Sequence, residues 1–127
     1  MKKFILLLAV LIFALQANAA MTYKDASAEN GKKAMAVLVY ARWAQNYDYA
    51  LEIFRNAQGR LGKSYNYVEL DIASDDAKEY SEKYSIRSKL PYIALFRSNG
   101  EFQRYLDRNC TSDLNCAVSK MKSFLRK

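Results

Sequence analysis

Histidine is absent from this 127-residue sequence, and proline, glycine and cysteine are scarce. Without histidine, the chain has no imidazole for metal binding, for a Ser/His/Asp triad or for acid–base catalysis near neutral pH. Two cysteines cannot complete a four-ligand zinc site. One proline and four glycines, beside 51% hydrophobic and 26% charged residues, exclude a disordered tail, a collagen-like repeat and a low-complexity array. The composition is that of one small basic domain, with or without a targeting segment.

The amino-terminal residues are typical of an export signal. Two lysines precede an unbroken apolar run at 4–15, and the A-N-A triplet ending at Ala19 fits the small-x-small rule for signal peptidase. We expect a signal peptide with cleavage after Ala19, although Ala20 also fits. A membrane span needs about 20 apolar residues, so the shorter run favours cleavage over a stable membrane anchor. The sequence thus predicts a signal peptide at 1–19, a mature domain at 20–127, and a secreted or periplasmic location.

The positive charge is modest and scattered. The formal net charge is +7, and removal of the two signal-peptide lysines lowers it to +5. A nucleic-acid surface needs clustered basic residues. The one local run lies in the predicted last helix, near a carboxyl terminus whose dipole basic residues complement: Lys120, Lys122, Arg126 and Lys127. We therefore expect no nucleic-acid partner. A weak attraction to an acidic envelope or partner is a further hypothesis, without a focused patch to support it.

Hydrophobic periodicity alternates along the chain between the strand and the helix patterns, which predicts an α/β or α+β domain. The predicted helices are 23–30, 46–61, 75–84 and a last one from about Ser112; the predicted strands are 34–41, 65–72, 92–97 and 101–106. Ser74 is predicted to cap the third helix, and Asn99-Gly100 to form a hairpin turn. The buried stripe of the last helix is predicted to comprise Leu114, Val118, Met121 and Leu125.

Three segments of the chain carry a pattern that is more specific than the element order. They are V-L-V-Y-A-R-W at 37–43, Y-V-E-L-D-I at 67–72, and Y-S-I-R-S-K-L-P-Y-I-A-L-F-R-S-N-G-E at 84–101. Together they resemble the thioredoxin-like superfamily: its central strand and active-site tryptophan, its second core strand, and its I-R-x-x-P-T-x-x-x-F-x-x-G segment. The last match has one extra residue before Pro91 and one in the hairpin. The resemblance implies a thioredoxin-like α/β fold, with a central mixed four-stranded sheet flanked by about four helices, and a cis peptide bond before Pro91.

The catalytic residues that the resemblance implies are missing. The family uses W-C-x-x-C, whereas this chain has W-A-Q-N-Y from Trp43, so Ala44 stands at the nucleophile position and Tyr47 at the resolving position. The family's buried carboxylate, six residues before the nucleophile, corresponds to Leu38. Because a thiolate is the nucleophile of disulfide exchange, we expect no such exchange at this site.

The remaining cysteines, Cys110 and Cys116, allow two interpretations. We expect Cys110 in the loop after the last strand and Cys116 on the exposed side of the last helix. In an exported protein such a pair is expected to form a disulfide, which as a structural link would contribute roughly 2 kcal/mol. The alternative is a relocated redox pair. In the family this loop lies near the cis-proline, and a helix N-terminus and Arg108 would favour a thiolate. However, five intervening residues are unlike the two-residue spacing of most exchange motifs.

Aromatic residues are abundant, with ten tyrosines and one tryptophan. The resemblance implies a peptide-binding groove, around the position of the missing active site, formed by Tyr40, Arg42, Trp43, Tyr47, Pro91 and Tyr92. Tyrosine and tryptophan are enriched at recognition surfaces, and backbone beside a cis-proline can pair with an extended peptide. The first hypothesis is therefore a non-catalytic module that binds an unknown peptide or protein, without a metal or cofactor. An open alternative is that the aromatics only fill the space left by the active site. The alternative activity is a thiol–disulfide oxidoreductase that uses Cys110 and Cys116.

Overall fold

The computed structural model describes residues 20–29 and 31–126, so the predicted signal peptide at 1–19 lies outside the described residues. The elements, in chain order, are α1 (Tyr23–Ala28), β1 (Ala34–Tyr40), α2 (Tyr47–Leu61), a short 3₁₀ helix (Gly62–Ser64), β2 (Tyr65–Asp71), α3 (Asp75–Lys83), β3 (Tyr92–Phe96), β4 (Phe102–Leu106), α4 (Arg108–Thr111) and α5 (Leu114–Leu125). All four predicted strands and all four predicted helices are present, with ends that differ by a few residues.

The four strands form one mixed sheet in the order β2-β1-β3-β4. Strand β1 pairs in parallel with β2 and antiparallel with β3, and β3 pairs antiparallel with β4. The parallel pair is connected through α2, as a parallel connection requires a crossover. Strands β3 and β4 are joined by the tight turn predicted at Asn99-Gly100. In that turn Gly100 has a φ of 84°, and its N–H donates to the Arg97 carbonyl at 2.8 Å.

The sheet is buried on both faces, which explains the nearly continuous apolar run of β1. Alternate residues of β1 enter two different cores: Ala36 and Leu38 face α2 and α5, whereas Met35, Val37 and Val39 face α1 and α3. All five are at most 4% exposed. The described residues therefore form three layers, with α1 and α3 on one face of the sheet and α2 and α5 on the other.

Helix α3 begins as its sequence predicts. Ser74 is its N-cap, and the Ser74 Oγ accepts a hydrogen bond from the Ala77 N–H at 3.2 Å. Asp75 and Asp76 lie in the first turn, where negative charge complements the helix dipole. The Asp76 carboxylate also accepts a 2.7 Å hydrogen bond from the Tyr23 N–H, and so connects α3 to α1.

The last helix begins close to its predicted start near Ser112, but the loop predicted before it was wrong, because a short helix lies there. The structure has a four-residue helix, α4, followed by α5. Each helix has its own aspartate cap: Asp107 accepts from the Asn109 N–H and Asp113 accepts from the Cys116 N–H. Two capping aspartates six residues apart start two helices, because each satisfies the free N–H groups of a separate helix end.

The predicted buried stripe of this last helix was also partly wrong. Val118 and Met121 are buried as predicted, but Leu125 is 39% exposed and Leu114 is only half-buried. The other buried positions of α5 are Ala117 and Phe124. The apolar residues of α5 cover more of the helix surface than a single buried stripe. Packing against α2 determines which of them lie inward, and Phe124 does so rather than Leu125.

Candidate functional site

The connection between β1 and α2 carries the candidate site. Strand β1 ends at Tyr40, Ala41 is buried, and the chain then turns, with the Ala44 N–H donating to the Ala41 carbonyl at 3.0 Å. Asn46 occupies the left-handed region with a φ of 65°, a conformation that asparagine adopts more readily than most residues. This geometry turns the Trp43 side chain outward, and Trp43 is 75% exposed.

Two tyrosines, one at each end of this connection, pack against each other. The rings of Tyr40 and Tyr47 stack with centroids 5.9 Å apart and planes 7° apart. Both rings are half-buried, and burial, with the nearby carboxylates of Asp71 and Glu69, raises the pKa of Tyr40 above its ordinary value. The Tyr47 ring, at the resolving position of the family motif, is therefore part of the packing at the start of α2.

The Arg42 side chain lies at the edge of the same connection. Its Nε is 3.3 Å from the Asp71 Oδ2, and the Arg42 side chain is 77% exposed. An ion pair this exposed contributes little to stability, so most of the guanidinium is accessible. The exposed side chains of this connection and of the first turn of α2 are together called the Trp43 surface: Arg42, Trp43 and the 46%-exposed Tyr49, with the half-buried Tyr47.

The segment before Pro91 lies beside this connection. The Leu90–Pro91 peptide bond is cis, and Leu90 belongs to the same buried cluster as Ala44 and Tyr92. The Leu90 carbonyl accepts a 3.1 Å hydrogen bond from the Arg108 Nη2. A carbonyl oxygen has two lone pairs, so it retains capacity for a second donor.

The prediction that Tyr92 offers its ring to a groove beside Trp43 was wrong. Tyr92 is 2% exposed, and its hydroxyl accepts a 3.2 Å hydrogen bond from the Arg87 N–H. Its ring contacts that of Tyr105 edge-on, at 5.1 Å between centroids. Pro91 is buried as well. Because alternate residues of a strand point to opposite faces, the side chain of Tyr92 joins the α1/α3 face of the sheet and leaves the Trp43 surface.

The two cysteines form a disulfide whose Cα atoms are 4.8 Å apart. The predicted positions need correction, because Cys110 lies in α4 rather than in a loop and is only 4% exposed. Cys116 is half-buried and packs against the core shared by α2 and α5, so it does not point away from the helix's buried face. The bond connects α4 to the first turn of α5.

Among the residues that the structure describes, no three or more acidic or cysteine side chains are grouped so that they could hold a metal ion. Over the same part of the chain, no helix combines the length and the apolar character that a bilayer span requires.

A second feature, a pocket, was not predicted from the sequence. A pocket of about 770 Å³ lies on the other side of Leu90 and Pro91, between the segment before β3 and the start of α4. Its lining includes three basic side chains and one acidic one: Arg87, Lys89, Arg108 and Asp107. The basic residues at 87 and 89 are a visible signal in the sequence, but only the fold brings Arg108 next to them.

The sequence matches no protein-family model and no curated protein. Solved structures are similar in fold. Deadhead, a germline-specific thioredoxin from Drosophila melanogaster, has a TM-score of 0.62 at 17% identity, over 83% of this chain and 97% of that chain. The thioredoxin of Malassezia sympodialis has a TM-score of 0.61 at 16% identity, over 84% of this chain and 86% of its own. Thioredoxin-2 of the malaria parasite, described as a component of the protein secretion machinery, has a TM-score of 0.59 at 21% identity, over 72% and 82%.

These likenesses agree with the element order, the mixed sheet and the helices on both faces. The chain therefore has a thioredoxin-like α/β fold. At this level of identity the likeness shows the fold alone. Because function resides in particular residues grafted on a fold, the activity has to be argued from the site.

Proposed function

We propose that this chain is a non-catalytic thioredoxin-like module that binds an extended peptide segment of a partner protein through the Trp43 surface. The observation that carries the proposal is the 75% exposure of Trp43 on a connection whose backbone is held by a turn and a helix start. A tryptophan that merely filled the space of a lost active site would be buried. Here Ala44 is buried and the Tyr40 and Tyr47 rings stack on each other, whereas Trp43 remains exposed to solvent.

The composition of the Trp43 surface supports binding. Tryptophan, tyrosine and arginine are the residues that most often dominate the energy of protein interfaces. Arg42, Trp43 and Tyr49 are all exposed and lie within eight positions of one another. The sequence has no Cys-x-x-Cys, so this surface lacks the thiolate nucleophile that exchange at this position requires.

The proposal is tested by replacing Trp43, the one tryptophan of the sequence. The mature protein is titrated against a fluorescently labelled unfolded protein, reduced and carbamidomethylated α-lactalbumin, and binding is read by anisotropy. We expect saturable binding that Trp43→Ala weakens at least tenfold, as loss of an interface hot spot does. The matched control is Leu125→Ala, which removes another exposed large apolar side chain from α5.

Unchanged affinity in the Trp43→Ala variant, or no binding by the wild type, would overturn the proposal. Circular dichroism should show the same folded spectrum for all three proteins, because neither substituted side chain is buried.

The disulfide favours a second candidate, a thiol–disulfide oxidoreductase working through Cys110 and Cys116. In such a reaction a partner thiolate attacks the half-buried Cys116 Sγ, the Cys110 sulfur leaves as a thiolate, and a second partner thiol resolves the mixed disulfide. The partner dithiol is oxidised to a disulfide as this chain is reduced. Oxidation of a model dithiol peptide by the wild type, absent in Cys116→Ser, would support this candidate; equal rates for both proteins would remove it.

The proposal includes the cellular location of the protein. The signal peptide predicted at 1–19 would direct the chain to a secreted or periplasmic location, as a mature domain that begins at Ala20. Expression of the full chain in a bacterial host, with N-terminal sequencing of the exported product, tests this directly. A product that retains residue 1 would contradict it.

A further inference from the structure

The pocket beyond Pro91 differs in character from the Trp43 surface. We define the cationic pocket by the three basic side chains of Arg87, Lys89 and Arg108, with Tyr105 and Asp107 also in its lining. Its volume, about 770 Å³, lies within the range of small-ligand sites, roughly 300–1,000 Å³. It can therefore receive a side chain of a bound peptide together with its hydration water.

Two of the three cations are held in place by contacts that leave their charge uncompensated. The Arg87 guanidinium lies over the Tyr105 ring at 4.3 Å from the centroid. The Arg108 Nη2 donates to the neutral Leu90 carbonyl, which uses one of the five N–H donors of a guanidinium. Within 20–29 and 31–126, neither arginine forms an ion pair with a carboxylate.

The acidic side chain of the pocket has its own partner. Asp107 is the N-cap of α4, and its Oδ1 accepts a 3.0 Å hydrogen bond from the Asn109 N–H. Lys89 is exposed and forms no ion pair in the described part of the chain. The pocket therefore presents three positive charges against one negative charge that is engaged in a helix cap.

We propose that the cationic pocket is a specificity site for an acidic side chain, Asp or Glu, of an extended peptide that lies along the Trp43 surface and passes Pro91. This inference rests on the proposed function and adds a substrate class to it. Arginine presents paired N–H donors that match the two oxygens of a carboxylate, and Arg108 is fixed beside the Leu90 carbonyl, where a peptide alongside Pro91 would pass.

The contiguity of the two surfaces comes from the fold. Strand β3 lies between β1 and β4, with Val39 paired to Tyr92 and Ile93 paired to Leu106. The start of β3 therefore lies between the end of β1, which leads to Trp43, and the end of β4, which leads to Arg108. The Leu90–Pro91 pair thus separates an aromatic surface on one side from a cationic pocket on the other. A peptide that contacts both would place an apolar residue near Trp43 and an acidic residue near Arg108.

The test compares two labelled peptides of identical sequence, one with glutamates and one with glutamines at the same positions, titrated against the mature protein. We expect the glutamate peptide to bind about tenfold more tightly, as hydrogen bonds to a charged group are worth more than neutral ones. Arg108→Gln should remove most of that preference. Lys89→Gln should reduce it about threefold, the size of an exposed ion pair. Lys120→Gln, which removes the same charge from an exposed position on α5, is the matched control.

The outcomes separate this inference from the proposed function. Equal affinity for both peptides, with binding still lost in Trp43→Ala, would overturn the pocket's role and leave the proposed function standing. No binding of either peptide would overturn both. Within the described ranges Lys89 is exposed and forms no ion pair, so the Lys89→Gln variant decides the question even where Arg108→Gln perturbs folding.

A third arm uses free glutarate as a competitor. Displacement of the glutamate peptide only at concentrations far above those of the peptide supports a peptide subsite. Tight glutarate binding that is unaffected by Trp43→Ala would instead identify an independent site for small carboxylates and overturn the peptide assignment.

Discussion

The hydroxyl of Tyr65, at the start of β2, donates a 2.8 Å hydrogen bond to the backbone carbonyl of Met121 in α5. Both side chains are at most 2% exposed. This bond connects the last helix to the edge strand of the sheet across the core that α2 and α5 share. It gives the buried Tyr65 hydroxyl a partner, and a buried donor without one would be destabilising. The contact therefore helps to set which face of α5 lies inward.

The orientation of α5 predicts unequal effects for two apolar residues four positions apart. Met121→Ala removes a fully buried side chain and should destabilise the domain by about 2–5 kcal/mol. Leu125→Ala, at 39% exposure, should change the free energy of unfolding by no more than about 0.5 kcal/mol. Urea unfolding of the two variants measures both. Similar losses in the two variants would show that α5 packs with a different face.

Substitutions at Trp43 and at Tyr47, whose ring stacks on Tyr40, should likewise separate binding from stability. Tyr47→Ala removes one ring of the Tyr40–Tyr47 stack and should destabilise the fold by about 1 kcal/mol. Trp43→Ala should leave the stability within about 0.5 kcal/mol of the wild type, since the ring is mostly in water. Thermal and urea unfolding provide the measurement. A large loss of stability in Trp43→Ala would mean that the ring is a packing element, and would count against a binding surface.

The buried position of Cys110 predicts a structural disulfide. Replacing both Cys110 and Cys116 by serine should lower the free energy of unfolding by about 2 kcal/mol, as expected for a link that closes so short a loop. The reduction potential of the pair, measured by thiol trapping and mass spectrometry across a series of thiol buffers, should lie below about −300 mV. A value between about −120 and −230 mV would match exchange proteins instead, and would favour the oxidoreductase candidate.

The buried tyrosines predict a loss of stability at alkaline pH. Burial raises the pKa of Tyr23 and that of Tyr67 to about 12 each, from an ordinary value near 10. Their contribution is fully present below pH 10. Between about pH 10 and pH 12 the unfolded chain loses phenolic protons that the folded chain keeps, so stability falls as the pH rises. Burial also raises the pKa of Tyr65 and of Tyr80, in the same direction.

This alkaline decline is measured by urea unfolding at several pH values from 8 to about 12. Tyr23→Phe, which keeps the buried ring and removes the ionisable hydroxyl, should make the decline smaller by about 1 kcal/mol. An identical decline in that variant would show that Tyr23 ionises as readily in the folded chain as in the unfolded one.

Much of the fold could be predicted because local signals agree with the tertiary structure. The continuous apolar run of β1 indicates a strand buried on both faces, and β1 is such a strand. Ser74 followed by two aspartates indicates a helix start, and α3 begins there. The short helix α4 was missed because four residues are too few to show a helical periodicity, and this segment was predicted to be a loop.

The candidate site was predicted less completely. Trp43 and Tyr47 were placed at the start of α2 by the resemblance, and the structure puts them there. Tyr92 was placed in the same groove by its position after Pro91, but the side chain of a strand residue follows the pleat, and here it enters the opposite core. Arg108 bonds the Leu90 carbonyl from 18 residues further along the chain, and no periodicity in the sequence connects these two residues.

The sequence by itself determined which chemical groups the chain has and lacks: no histidine, no Cys-x-x-Cys, one cysteine pair and an unusual number of tyrosines. It also determined the order of strands and helices, because periodicity and caps are local properties. Only the tertiary structure decided which aromatic rings are buried and which, like Trp43, meet the solvent. It alone brought Arg87, Lys89 and Arg108 to one pocket beside Pro91. The physical reason is that burial and charge clustering depend on strand register and helix packing, which connect residues far apart in the chain.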